Sequence, residues 1–409
     1  MYRRRLIRLL FGASLWTLSA AAQEQRAPII EITYDRALAL AREQAPDLRA
    51  AQARAREAES QVDAASIWRF NPELSGSVGP RFHSDGTTVD WSVGVQQWLE
   101  VGGQRGDRVE AARAGAVASV ARSEDSRRLV LRDVSLAFIT ALYWERRVVL
   151  AEENLRIAED IARIATKRHE VGDVGGLEQS ISALAVVRAR SNADRSRASL
   201  TQAEGRLKAL LGIEASADLV CRGDLRQLGI PGAAQPDLGD RPDLQALRAD
   251  IRQAEAEAEL GRAGRVPNLA LGADYSREES ADIVLGILTI ELPLFDRGQG
   301  TTTVAKARRD RIRSELDATK SAAAVEVNTA QVTVQRLRTA ARRFEREGLE
   351  TLELSEGLAT ASYEAGAIPL GELLAVRREL VQAKLEYANL LLGAATAYVE
   401  LAASTGALR

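Results

Sequence analysis

The sequence predicts a mainly α-helical chain built from a duplicated helix, strand-hairpin and helix repeat, with four strands per chain contributing to a membrane β-barrel. Two motifs show the duplication: EVGDVGGLE at 170–178 and EAGAIPLGE at 364–372 share one offset of 194 residues without a gap. Such self-similarity indicates a repeated supersecondary unit. Prolines are absent from 81–230 and 294–368, and only long helices need so few breakers.

The first 22 residues predict a secretory signal peptide. Four arginines precede an apolar run over 9–18, and an alanine-rich cleavage site follows at 20–22. The run is too short to span a bilayer, so we expect cleavage and export rather than anchoring. Loss of the arginines leaves a mildly acidic chain, which has no electrostatic basis for a nucleic-acid partner.

Two segments alternate between apolar and polar residues and predict strand hairpins over about 71–99 and 267–294. In the first hairpin every second residue over 74–82 and 89–95 is apolar or small, and in the second a final segment at 283–292 is apolar on both faces. Each strand is about 10 residues long, the length that a tilted membrane strand needs. Aromatic residues, which gather where a barrel wall meets lipid headgroups, flank both hairpins.

Four strands cannot close a barrel by themselves. An open strand edge in hydrocarbon leaves backbone groups unpaired, at a cost of several kcal/mol each. Two chains would supply eight strands around an interior filled by side chains, whereas three would supply twelve strands around a pore. The sequence therefore predicts a homotrimer with a twelve-stranded barrel in contact with membrane lipid.

The rest of the chain predicts helices. Residues 104–170 and 300–365 would each form a helix about 100 Å long at about 1.5 Å per residue, several times the thickness of a bilayer. Helices over 177–212 and 371–405 would return from the turns that follow. The predicted architecture is thus a barrel with long helices that project far from the membrane.

These elements divide the mature chain into two copies and a connection. The first copy covers 23–212 and the second covers 238–409. Residues 213–237 fit neither pattern, and we expect them to form a linker or small side-domain.

Reactive side chains are scarce. The chain has one cysteine, Cys221, and two histidines, His83 and His169. They form no metal-ligand cluster of usable spacing and no constellation of nucleophile, base and orienting residue. We therefore expect no enzymatic activity, no cofactor and no metal site, and we interpret Cys221 as a small buried hydrophobic residue.

The order of signal peptide, helix, strand pair, long helix and glycine turn, repeated once, resembles the TolC-like outer membrane efflux protein family over essentially the whole mature chain. WLEVGGQRGDRVEAA at 98–112 and ELPLFDRGQG at 291–300 are similar to the strand-to-helix junctions of its heavy-metal branch, the partners of cobalt, zinc, cadmium and copper exporters. An alternative class is a periplasmic coiled-coil spacer, which the amphipathic strand pairs argue against.

The resemblance implies an outer membrane exit duct with a helical tunnel across the periplasm. The tunnel would stay closed until a periplasmic adaptor protein and an inner membrane pump of the RND type dock. Heavy-metal cations would be the substrate. The alternative is the same channel serving drug or small-molecule efflux or type I protein secretion.

The resemblance also implies a role for the two repeated motifs. They would be helix-turn-helix tips at the far end of the tunnel, where Gly172 and Gly366 permit the positive φ that ends one helix before the next returns. The gate would comprise a bond from the Tyr363 hydroxyl to Glu178 and a ring of three Glu372 residues. The alternative for both glutamates is a solvated acid in the first turn of a helix.

Two positions depart from the pattern of the family. The arginine that the family pattern has two residues past the second glycine is Ile368 here, and its second acidic residue at the aperture is Ala375. We therefore expect a looser latch and a single acidic ring.

Overall fold

The protein is described by a computed structural model that covers residues 29–227, 241–279 and 281–408. The predicted signal peptide at 1–22 and the end of the predicted linker lie outside the described residues. The first copy has these elements in chain order: β1 (Ile29–Thr33), α1 (Tyr34–Gln44), α2 (Pro46–Ser66), β2 (Glu73–Phe82), β3 (Thr87–Leu99), α3 (Gln104–Glu170) and α4 (Gly176–Leu211).

Strand β4 (Asp218–Arg222) lies in the predicted linker. The second copy then repeats the order of helix, strand hairpin and long helices, with α5 (Pro242–Ala263), β5 (Leu269–Glu278), β6 (Ala281–Ile290), α6 (Gln299–Arg343), α7 (Leu349–Glu364) and α8 (Leu370–Ser404). The mainly helical class with four strands in two hairpins, predicted from the sequence, is confirmed. Within the described residues, no helix carries an apolar stretch long enough to cross a membrane.

The two hairpins join into one antiparallel sheet with the strand order β2-β3-β5-β6. Its polar face is linked across strands: the Ser77 and Ser92 hydroxyls lie 2.9 Å apart, and the Gln96 amide donates to the Thr289 hydroxyl at 3.0 Å. The opposite face carries exposed apolar side chains such as Val93. Strands with one polar and one apolar face suit a wall between water and lipid.

The outer strands of this sheet have free edges. Neither β2 nor β6 pairs with a second strand in the part of the chain that the structure describes. Strand β6 is apolar on both faces, as the sequence predicts. Leu285 pairs in register with Asp274, so this apolar side chain lies on the polar face of the sheet.

Short helices stack end to end with long ones. Gly212, which ends α4 with φ of +67°, lies against Pro46 at the start of α2. At the equivalent joint of the second copy, Arg241 precedes α5 and donates to the carbonyl of Ser404 at the end of α8, at 3.4 Å. Each stacked pair runs beside a long helix, so the copies have the same plan.

Two buried arginines close the joint at the end of α8. Arg128 donates to the carbonyl of Ala403 at 3.1 Å, and Arg241, which is 4% exposed, donates to that of Ser404. Guanidinium groups are favourable there because a helix C-terminus carries partial negative charge. Asp243 balances Arg241 at 2.7 Å, and this pairing holds the pKa of Asp243 below its usual value against the opposing effect of its burial.

The start of the predicted linker is ordered against the first residues of the described chain. Strand β4 pairs in parallel with β1, and the Cys221 amide donates to the Glu145 carboxylate at 2.9 Å. Burial, with Glu145 nearby, raises the pKa of the Cys221 thiol to about 12. The thiol is therefore a packed, un-ionised group in the main hydrophobic core, beside Phe138 and Ile32.

The long helix of the second copy is not continuous. The sequence predicts one helix over 300–365, but a π-helical turn at Phe344–Gly348 separates α6 from α7, whereas α3 runs unbroken for 67 residues. Gly348 is a weak helix former, and the Phe344 ring stacks on Tyr387 of α8 with centroids 5.4 Å apart. Because π turns are rare and usually mark local constraints, we attribute this one to that packing.

Glycines with positive φ precede the long helix that follows each strand hairpin. Gly103 before α3 has φ of +83°, and Gly298 before α6 has φ of +71°. A side chain at Gly103 would meet nothing within 4 Å, but a Cβ at Gly298 would lie 1.9 Å from the carbonyl oxygen of Gly261. The two turns are thus equivalent in backbone shape and different in the space around them.

We expect Gly298→Ala to destabilise the protein far more than Gly103→Ala. Left-handed strain alone costs about 1 to 2 kcal/mol for a residue with a side chain, and both variants bear it. Only Gly298→Ala also forces the α5 and α6 backbones apart. Thermal unfolding of the detergent-solubilised variants measures the difference, and equal losses would contradict the packing of α5 against α6.

Candidate gate at the helical tips

The two repeated motifs form equivalent turns at the end of the long helices. Gly172 has φ of +80° and Gly366 has φ of +72°. In the first turn the Asp173 amide donates to the Arg168 carbonyl at 2.8 Å, and in the second the Ala367 amide donates to that of Ser362 at 2.8 Å. This is the capping pattern that a left-handed glycine permits at a helix C-terminus.

Each returning helix begins a few residues later with a glutamate in its first turn. Glu178 lies in the first turn of α4 and is half-buried, and Glu372 lies in the first turn of α8 and is exposed. The positive end of the helix dipole favours a carboxylate at both positions. The repeat therefore gives both tips an acid, but the surroundings of the two acids differ.

Glu178 is brought together with Tyr363. The Tyr363 hydroxyl donates to Glu178 Oε1 at 3.4 Å. This bond joins two helical hairpins, because Glu178 lies in the first (α3 and α4) and Tyr363 in the second (α7 and α8). This distance is long for an O–H···O bond, whose usual value is about 2.7 to 2.8 Å, so the bond is weak as it stands. Glu372 is not part of this contact; it lies on the same helical hairpin as Tyr363 and faces solvent within one chain.

The Tyr363 ring lies in a small apolar cluster that packs the two hairpins together. Tyr363 is 3% exposed. The other buried members are Ile161, Ala165, Ala359, Leu370 and Leu373. Ile368, which stands where the family pattern has an arginine, packs against this cluster. The departure therefore replaces a charge by apolar contact.

Sequence reasoning missed one side chain at this site, Arg168. Its guanidinium carbon lies 5.5 Å from the centroid of the Tyr363 ring, and its Nε donates to Asp173 Oδ2 at 2.6 Å. The repeat offers no signal for it, because the equivalent position of the second copy is Ser362. Only the packing of α3 against α7 identifies the contact.

The tips carry charge but no built metal centre. Among the residues that the structure describes, no group of three or more His, Cys, Asp and Glu side chains could hold a metal ion. His169 is used within its own turn, where Nδ1 lies 2.9 Å from the carbonyl oxygen of Val174. The site is thus a contact between the two helical hairpins.

The sheet has one polar and one apolar face and two open edges, and the helices attached to it are far longer than a bilayer is thick. These features define an outer membrane channel with a periplasmic extension. Residues 37–213 and 235–407 match the family model described as outer membrane efflux protein, and the chain belongs to this family. It is an outer membrane protein with a helical periplasmic part. The family predicted from the tip motifs is confirmed.

Curated relatives agree with the heavy-metal branch. The chain is 26% identical over 327 residues to the cobalt-zinc-cadmium resistance protein CzcC of Cupriavidus metallidurans, covering 78% of this chain and 77% of the relative. It is 27% identical over 335 residues to the nickel-cobalt-cadmium resistance protein NccC of Alcaligenes xylosoxydans xylosoxydans, covering 77% and 74%.

Solved structures establish the fold. A crystal structure of CusC matches with a TM-score of 0.77 and 22% identity, covering 91% of both chains. The outer membrane protein VceC of Vibrio cholerae matches with a TM-score of 0.76 and 20% identity, covering 91% of this chain and 96% of the other. The predicted architecture of strand hairpins on a long helical extension is thereby confirmed.

Proposed function

We propose that this chain assembles as a trimer and forms the exit duct of a tripartite efflux system, through which heavy-metal cations leave the cell. A periplasmic adaptor and an inner membrane pump of the RND type would deliver the cations, and the duct would conduct them passively, without catalysis. The observation that carries the proposal is the four-stranded sheet, polar on one face, exposed and apolar on the other, and open at both edges.

The open edges support a shared barrel. Strands β2 and β6 would each leave a row of backbone donors and acceptors in hydrocarbon unless a second copy supplied the missing partner. Pairing β6 of one chain with β2 of the next closes a ring, and three copies give twelve strands and an aqueous lumen. The polar face, with Ser92 and Asp274, would line that lumen.

The cargo is inferred from relatives rather than from a site. CzcC and NccC are named for resistance to cobalt, zinc, cadmium and nickel. A wide aqueous pore selects weakly, so metal selection would belong to the pump. A second cargo class, small organic molecules, is supported by 27% identity over 378 residues to the pyoverdine export outer membrane protein OpmQ of Pseudomonas aeruginosa.

Deletion of the gene tests the proposal in a strain that carries the cognate pump and adaptor. Release of zinc, cobalt or cadmium to the medium should stop, while the metal affinity of the purified pump should not change. Complementation with the wild-type chain should restore release. Unchanged metal release with loss of small-molecule efflux would assign the second cargo class, and tight stoichiometric zinc binding to the purified trimer would contradict a passive duct.

We further propose that the tips form the periplasmic gate. The contact between Tyr363 and Glu178 joins the two hairpins of one chain, and three copies around the axis would hold the tunnel end closed. The exposed Glu372 residues of three chains would converge as an acidic ring at the same end. The two glutamates therefore have separate roles, one in closure and one in selectivity.

The closure role predicts that Tyr363→Phe combined with Glu178→Gln raises single-channel conductance. A hydrogen bond to a charged group contributes about 1.5 to 3 kcal/mol. The Tyr363–Glu178 bond contributes less because it is 3.4 Å long and reached by solvent, but three chains multiply the effect. Planar bilayer recordings measure the conductance, with thermal unfolding as a control for the fold. Conductance equal to that of the wild type would reduce Glu178 to a first-turn acid.

The selectivity role predicts a different response to Glu372→Gln. This change removes three negative charges from one constriction, so cation selectivity and block by multivalent cations should weaken without an increase in conductance. Reversal potentials in asymmetric salt measure the selectivity. If the variant opened the pore or left selectivity unchanged, Glu372 would not form the ring.

A further inference from the structure

Arg168 occupies the space between the two tips. It lies near the end of α3, four residues before the left-handed Gly172, on the first hairpin. Its guanidinium lies over the ring of Tyr363, which belongs to α7 on the second hairpin. The side chain thus spans the same boundary as the bond between Tyr363 and Glu178.

The guanidinium that contacts the ring is also bound within its own helical hairpin. Arg168 Nε donates to Asp173 Oδ2 at 2.6 Å, and Asp173 belongs to the turn that Gly172 permits. Arginine can make this bond and still present its planar face to an aromatic ring, because its donors lie in a rigid fork. The turn therefore positions the cation as well as reversing the chain.

The Tyr363 ring is held on two sides by the first hairpin. Its hydroxyl points to Glu178, and its face is covered by Arg168. Only 3% of Tyr363 is exposed, so water reaches the contact only from the side of Arg168, whose side chain is 30% exposed. A cation over an aromatic face is attracted by the ring itself, and the hydroxyl is not required.

We propose that Arg168 is a second positioning residue of the gate, which holds the face of the Tyr363 ring and keeps the two hairpins of each chain together in the closed state. This inference rests on the proposed gate. It gives the latch two parts, one through the tyrosine hydroxyl and one through its ring. Loss of the hydroxyl alone then leaves a partial latch.

The test is a double-mutant cycle on channel opening in planar bilayers. Arg168→Gln should raise the ratio of open to closed channels, since a cation–π contact corresponds to about a two- to five-fold change in an equilibrium constant for each chain. The effect should persist in a Tyr363→Phe background, which keeps the ring, and disappear in a Tyr363→Leu background, which lacks it. Arg168→Lys, which keeps the cation, should be closer to the wild type than Arg168→Gln.

Arg163→Gln is the matched control. Arg163 lies five residues earlier on the same helix, is exposed, and pairs with Asp160 of its own helix rather than with the second hairpin. The Arg163→Gln change removes the same charge as Arg168→Gln but no contact between the hairpins, so it should leave channel opening unchanged. Thermal unfolding of Arg168→Gln should match that of Arg163→Gln, because the contact joins tips and not the core.

The outcomes separate this inference from the proposal on which it rests. If the wild type forms no conducting channel, the proposed function fails. If the wild type conducts and Tyr363→Phe with Glu178→Gln opens it, but Arg168→Gln does not, only the role of Arg168 fails. An Arg168→Gln effect that is equal in the Phe and Leu backgrounds, or equal to that of Arg168→Lys, would also overturn it.

Discussion

The backbone edges of one four-stranded sheet constrain the whole molecule. Strands β2 and β6 have no second partner within the described chain, and hydrocarbon offers none. In the proposed trimer, a closed arrangement of copies around an axis would satisfy these groups and bring the long helices of each copy into a ring. The sheet would thereby determine how many hairpin tips meet at the far end, although it is about 100 Å away along α3.

Duplication would give the proposed ring its symmetry, and the small differences between the two copies would give it the parts that differ. Gly172 and Gly366 make the same turn, and each is followed by an acid in the first turn of a helix. The equivalent of Tyr363 in the first copy is His169, whose ring is engaged within its own turn. The second helical hairpin therefore supplies the aromatic ring and the first supplies the cation, so the two copies are complementary at this contact. Two copies identical to the first would instead place a histidine against the arginine.

Most of the fold follows from local sequence, and so do the glycine turns and first-turn acids of the candidate site, whereas contacts between distant segments do not. Long helices and alternating strands are visible in the spacing of apolar residues, of prolines and of glycines. The pairing of β1 with β4 was not predicted, because two five-residue strands separated by almost two hundred residues carry no local signal for each other. The π turn at Phe344–Gly348 depends on a stacked ring from α8, and Arg168 meets Tyr363 only through tertiary packing.

The burial of Cys221 has a practical consequence for spectroscopy. Its thiol is un-ionised near neutral pH and packed in the core, so thiol-directed probes, which react with the thiolate, have little access to it in the folded protein. A cysteine introduced at an exposed tip position such as Val171 would then be the selectively labelled thiol, with no need to remove the native one. In the proposed trimer, one spin label or fluorophore per chain would report the distances between the tips of neighbouring copies.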